Sequence, residues 1–275
     1  MMKAFSQRIS SFGETVFATF SRMAKELGAV NLGQGFPDFP PPDFALKALS
    51  NAVQGYQQYA PLFGMPELMS TLAQSYSPRF QRDLNPSHIL ITVGATEALF
   101  ASIQALIDIG DEVILLEPFY DAYPADVIMA GGIPRYVPLR PDESGQWQLD
   151  LEELTKAFNH KTKAIILNSP HNPSGKVFSA QELDAIVNLA ESYDAYIISD
   201  EVYERIAFKP HISIASRPGA WERTLTISSV GKTFSVTGWK IGWLIAPELI
   251  VKNVCKAHQW VPFVVATPLQ QPAPK

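Results

Sequence analysis

The chain has 275 residues, of which 47% are hydrophobic and 18% charged, so it can bury one large globular core. Its formal net charge is −5 and it has no basic run, which argues against a nucleic-acid partner. A single cysteine, Cys255, excludes an internal disulfide and fits a reducing compartment. The N-terminus lacks the apolar core of a signal peptide, and no apolar run approaches the roughly 20 residues that cross a bilayer. A cytoplasmic protein without membrane contact is expected.

Residues 1–30 are read as an N-terminal segment and 31–247 as one large domain. The stretch FPDFPPPDF (36–44) predicts a rigid, irregular path over the surface. Helical patterning follows at about 43–54 and 64–77. A β/α alternation comes next. Apolar runs stand at 88–93 (HILITV), 112–117 (EVILLE), 133–138 (IPRYVP), 163–168 (KAIILN), 195–200 (AYIISD) and 224–228 (TLTIS). Helix-like segments at 95–108, 119–130 and 179–193 separate most of them. The last opens on Ser179 with Glu182 three residues on, the pattern of a capping box. Strands alternating with helices imply a three-layer α/β/α fold with a mostly parallel sheet covered on both faces. From Glu248, ELIVKNVCKAHQWVPFVV reads as a helix that should continue, so 248–275 is expected to be the truncated start of an interdomain helix. There is no internal repeat.

Three strand ends carry residues suited to chemistry: Asn172 in HNPSG, Asp200 with Tyr203 in SDEVYE, and Lys232 in SSVGKTFSVTGWKIGW. Each has an ordinary reading. A lysine after a strand is usually solvated, HNPSG is good turn chemistry, and an aspartate at a strand end is often a cap. Their joint occurrence points to one site at the carboxyl edge of an open sheet, where ligands bind in such folds. At Gly94-Ala95-Thr96 a strand gives way to a helix whose free N–H groups can cradle an anion. A nucleotide-binding ATPase is the rival, since Gly231-Lys232-Thr233 looks like the end of a P-loop. That motif needs a glycine where Thr226 stands, and the P-loop normally precedes its acidic strand.

Together, GQGFPDFPPP, HNPSGKV, SDEVYE and GKTFSVTGWKIGW resemble the pyridoxal-phosphate aminotransferases of fold type I, class I/II, and most of all the kynurenine/methionine aminotransferase branch. The resemblance runs from about Phe17 to the chain end. It implies transfer of an amino group from an L-amino acid (aromatic, methionine or kynurenine type) to a 2-oxo acid through pyridoxal 5'-phosphate. It implies Lys232 as the Schiff-base lysine and general base, and Asp200 as partner of the pyridine nitrogen. Asn172 and Tyr203 would hold the ring oxygen, and Tyr120 of LEPFYDAY would stack on the ring unless it or Phe119 is merely core. Gly94, Ala95, Thr96, Ser229 and Lys240 would hold the phosphate. Tyr59 would reach the phosphate of a neighbouring subunit, which makes a homodimer the expected assembly. Gly35 would lie close to the substrate carboxylate. No metal is expected, and His171 and Glu201 are assigned structural roles. One departure stands out. The family clamps the substrate carboxylate with an arginine of a small C-terminal domain, and the last arginine here is Arg223. That domain is expected to be missing, which leaves a truncated, non-catalytic homologue as the alternative function.

Overall fold

The computed structural model describes residues 3, 5–35 and 37–271. Phe36 of the GQGFPDF motif and the closing prolines Pro272 and Pro274 lie outside the described residues.

Eight strands form one sheet: β1 (Ile89–Thr92), β2 (Glu112–Glu117), β3 (Ile133–Pro141), β4 (Trp147–Leu149), β5 (Thr162–Asn168), β6 (Tyr196–Asp200), β7 (Thr224–Ser229) and β8 (Gly242–Ile245). Their spatial order is β1-β8-β7-β6-β5-β2-β3-β4. Strands β7, β6, β5, β2 and β3 run parallel to one another. Strand β8 is antiparallel to both β7 and β1, so β1 shares the common direction, and β4 is antiparallel at the far edge. All six apolar runs are strands. The short β4 carries no comparable apolar run, and β8 lies within a seventh run, IGWLIA (241–246), not named above.

Alternation along the strands sends side chains to two cores, as a period of two requires. Leu90, Val113, Leu115, Ala164, Ile166 and Ile198 face α4 (Gly94–Leu106), α5 (Ala122–Ala130) and α9 (Glu248–His258). Ile114, Leu116, Ile165, Leu167 and Ile197 face the opposite way, onto α6 (Leu151–Ala157) and α7 (Ala180–Ser192). On that same face α3 (Pro66–Phe80) covers Ile89 and Ile91. The sheet is thus sandwiched between helical layers, as expected. The capping box opens α7: Ser179 Oγ accepts from Glu182 N, and Glu182 answers to Ser179 N.

One expectation needs correction. The helix from Glu248 does not run through to Val265. It ends at His258, because Pro262 has no N–H to give and disfavours helical backbone in the residue before it. The N-terminal segment, for which no element is predicted above, is partly helical. It holds α1 (Val16–Leu27), opened by Thr15 accepting from Ala18 N and closed by Gly28 at φ +60°, with no buried residue. Helices α2 (Asp43–Ala52) and α8 (Val230–Thr233) complete the set among the described residues.

The carboxyl ends of β1, β2, β5, β6 and β7 open on one edge of the sheet. Each is followed by one of the residues singled out above.

Candidate active site

A cleft of about 840 Å³ opens along this edge. Gly35, Gly94, Ala95, Thr96, Tyr120, Asn172, Asp200, Tyr203, Ser229, Lys232 and Lys240 all line it. Eleven residues scattered over two hundred positions thus share one cavity. Tyr59 does not: it is exposed, and its ring packs edge-on against Phe263 at 5.2 Å.

One end of the cleft is made by the start of α4 and the Lys240 side chain. Helix α4 begins at Gly94 (φ +70°), so the first N–H groups of the helix lack intrahelical acceptors and its dipole points at the cleft. Lys240, itself left-handed at φ +53°, brings its Nζ to 3.3 Å from Thr96 Oγ1. A β-carbon on Gly94 would stand 3.2 Å from that Nζ, so the absent side chain leaves room where the amine and the helix end meet. Ser229, the last residue of β7, lines the same end.

At the centre stands Lys232 on α8. Its Nζ donates to the Gly35 carbonyl at 2.6 Å and lies 5.7 Å from the Tyr203 ring centre. Burial depresses its pKa below the usual lysine range. The Asp200 charge opposes that shift and Lys240 adds to it.

Asp200 closes β6 and is 4% exposed. Burial pushes its pKa up to about 6, against the pull of Tyr123, the Val202 N–H and Lys232. Tyr123 Oη donates to Asp200 Oδ2 at 2.8 Å, and Val202 N donates to Oδ1 at 3.3 Å. Beside it, Asn172 Nδ2 lies 3.4 Å from Tyr203 Oη, so amide and phenol converge on one point. Tyr203 is held up at about 12, chiefly by burial. Tyr120 is half-buried, edge-on to Tyr123 at 5.6 Å and 6.0 Å from Phe17, and Phe119, which also lines the cleft, stacks on Tyr136.

Two residues of this site are absent from the sequence reading. Tyr123 follows Tyr120 by three positions, the spacing of one helical face. Asn168 follows Ile166 by two on β5 and so shares its face of the sheet. Its Oδ1 accepts from Asn172 N at 2.6 Å and its Nδ2 donates to the Asp200 carbonyl at 2.9 Å, which ties the two strand ends together.

The segment SDEVYE has a second side. Glu201 accepts from Ser199 and Ser213, both at 2.9 Å. Glu204 accepts from Arg79, Tyr76 and Ser228. His211 Nδ1 faces Arg79 Nη2 at 3.3 Å. The ligand atoms of Glu201, Glu204 and His211 lie within 4.8 Å of one another, as a metal site would need, but the Arg79 guanidinium already stands among them as the cation. Burial pushes Glu201 up to about 8 and His211 down to about 4. His171 Nδ1 lies 2.7 Å from Ser174 Oγ within its own turn. Glu201 thus joins the end of β6 to the segment at Ser213, and His171 pairs within the HNPSG turn.

The cleft thus brings together an amine of lowered pKa, a buried carboxyl, an amide and a phenol that converge on one point, and a helix end suited to an anion. The family Aminotransferase class I and II matches residues 28–274. The kynurenine–oxoglutarate transaminase of Dictyostelium discoideum is 47% identical over 285 residues, covering 97% of this chain and 66% of its own. Human kynurenine–oxoglutarate transaminase 1 is 46% identical over 268 residues, covering 92% and 64%. The chain therefore spans just under two thirds of the length of these relatives. Among solved structures, the N-succinyldiaminopimelate aminotransferase of Mycobacterium tuberculosis superposes with a TM-score of 0.93 at 43% identity, over 97% of this chain and 70% of that one. YbdL of Escherichia coli, identified with a methionine aminotransferase function, gives 0.92 at 37%, over 98% and 71%.

Proposed function

The chain belongs to the class I and II aminotransferases, and from that premise we propose that it binds pyridoxal 5'-phosphate and moves an amino group from an amino acid to a 2-oxo acid. The observation that carries this reading is the facing of Lys232 and Asp200 across one cleft whose far end is the N-terminus of α4.

The residues suit the group. When bound, pyridoxal phosphate supplies an aldehyde that condenses with amines and a ring that accepts the electron pair left at the substrate α-carbon. Lys232 would hold it covalently. Once released, its amine, made less basic by burial, is available to take the α-proton. Asp200 would keep a proton on the pyridine nitrogen. Asn172 and Tyr203 would hold the ring oxygen at their common point. The N–H groups of Ala95 and Thr96, with Ser229 and Lys240, would take the phosphate at a helix end suited to anions. Tyr120 would support the ring face, and Gly35, already touching Lys232, would border the substrate carboxylate.

Residues 31–247 form the cofactor-binding domain in this reading. An amino acid of kynurenine, methionine or aromatic type as donor, a 2-oxo acid as acceptor, a homodimer in which Tyr59 serves the partner's phosphate, and a cytoplasmic setting complete the proposal. They rest on the sequence motifs, the composition and the relatives. No helix among the described residues is long and apolar enough to cross a membrane.

The test is to titrate pyridoxal phosphate into the protein, follow the absorbance of the lysine-bound form, and assay amino transfer from several amino acids. Saturable binding that Lys232→Ala abolishes supports the proposal. A protein that takes up no cofactor, or takes it up equally without Lys232, overturns it.

A further inference from the structure

We propose that Tyr123 is a positioning residue for this site: its hydroxyl fixes the Asp200 carboxylate beneath the cleft and favours its ionised form. The inference rests on the reading of Asp200 as partner of the pyridine nitrogen.

The geometry is specific. Tyr123 sits in the first turn of α5 and is 3% exposed. Its Oη donates to Asp200 Oδ2 at 2.8 Å, while Val202 N donates to Oδ1 at 3.3 Å. Both carboxylate oxygens are therefore anchored, one to a helix and one to the turn after β6. Asn168 holds the backbone of the same residue through the Asp200 carbonyl. The groups that face Asp200 are Tyr120 and Tyr123 from the α5 side, Tyr203 from the turn after β6, and Lys232 from α8. Lys232 is the one cation among them, and its amine is the group assigned to the cofactor and the substrate.

A neutral donor is what such a carboxylate needs. A fixed arginine or lysine at position 123 would satisfy Asp200 and compete with the pyridinium for it. A phenol lowers the carboxylate's proton affinity by hydrogen bonding to the charged form, yet adds no charge of its own. The donor is also constant. Burial beside Asp200 holds the Tyr123 phenol far above its ordinary pKa, so it keeps its proton at every working pH. If the carboxylate were more basic, the shared proton would move off the ring nitrogen and onto Asp200. A tyrosine present only to fill the core would do as well as phenylalanine.

The experiment uses wild type, Tyr123→Phe, Asp200→Asn and a protein carrying 3,5-difluorotyrosine at position 123. The Asp200 carboxyl is titrated by carbon NMR in the cofactor-free proteins, and the ring nitrogen of labelled pyridoxal phosphate is observed in the loaded ones. Tyr123→Phe should raise the Asp200 midpoint by about one unit, a tenfold change in proton affinity, and move the nitrogen resonance toward unprotonated pyridine. Difluorotyrosine, a stronger donor of the same shape, should move both in the opposite direction, and it carries the test if Tyr123→Phe folds poorly. A nitrogen resonance shifted by Asp200→Asn but by neither change at 123 overturns the inference alone. A resonance untouched by Asp200→Asn overturns the reading of Asp200, and this inference with it.

Discussion

Gly242 on β8 lies so close beneath Gly94 that a β-carbon on Gly242 would stand 2.5 Å from the Gly94 carbonyl carbon and 2.7 Å from Ala95 N. Those are backbone atoms and cannot swing aside. The second glycine of GWKIGW therefore sets how near the start of α4 comes to the sheet. Gly242→Ala should push the helix end off its seat, at a cost of about 1–3 kcal/mol for overpacking. Thermal unfolding should show the loss, and pyridoxal phosphate titration should show weakened binding. Unchanged values in both would mean that the strand shifts freely.

Lys232 should be the residue that bears the cofactor. Borohydride treatment of the loaded protein, followed by peptide mapping, is expected to leave the pyridoxyl group on Lys232. Recovery on Lys240, whose amine sits at Thr96, or on Lys176, which pairs with Glu182 at 2.7 Å, would reverse the assignment.

Asp200 should make the cofactor-free protein less stable as pH rises. Its pKa is raised from 3.8 to about 6 in the fold. The folded state therefore binds the proton more tightly, a contribution fully present below pH 4 and lost as pH rises through 6. Two units correspond to about 3 kcal/mol between those limits. Urea denaturation of wild type and Asp200→Asn at pH 4 and pH 7 isolates this group, because Glu201 titrates in both proteins. The variant should gain on wild type as pH rises. In the loaded enzyme, Asp200→Ala should lower kcat by about a hundredfold or more through loss of an electrostatic contact.

Arg79 should be indispensable to the rear of SDEVYE. It pairs with Glu204, whose side chain is 2% exposed. Arg79→Met leaves that carboxylate buried and unpaired, at a cost of about 3–5 kcal/mol. Adding Glu204→Gln to Arg79→Met should recover most of the loss in denaturant melts. A double variant no more stable than the single one would show that Arg79 acts by packing alone.

The layered sheet was legible because its strands are long apolar runs closed by polar punctuation, and chemistry-bearing residues fall at those closures. Strands β4 and β8 escaped that reading. WQL is too short to declare a period, and GWLI lies in the continuous apolar run 241–246, which has no alternation to tell a buried strand from a buried helix; both take their state from the neighbours they pair with. Helix α1 escaped although Val16, Phe20, Met23 and Leu27 follow helical spacing, since none of its residues reaches a core. Within the site, residues on sharp motifs could be placed from sequence. Tyr123 and Asn168 could not, because their roles lie in contacts to Asp200 and Asn172 that only the folded sheet brings about. The raised pKa of Asp200 was hidden for the same reason: burial is a property of the packed molecule.

The insertion of β8 between β1 and β7 has a kinetic meaning. The anion cradle follows β1 and the lysine follows β7, far apart in the chain, and within the sheet β8 is the strand that joins them, while α4 packs across β7 as well. Pairing β7 with β8 is local and cheap in loop entropy, whereas pairing β8 with β1 closes most of the chain length and belongs to the slow steps of assembly. During refolding, secondary structure, compaction and the packing of α4 on β7 can precede that closure, but the two halves of the cleft take their final register only after it. Capacity to capture pyridoxal phosphate should therefore return in a single late phase, making the ligand a reporter of the last strand docked.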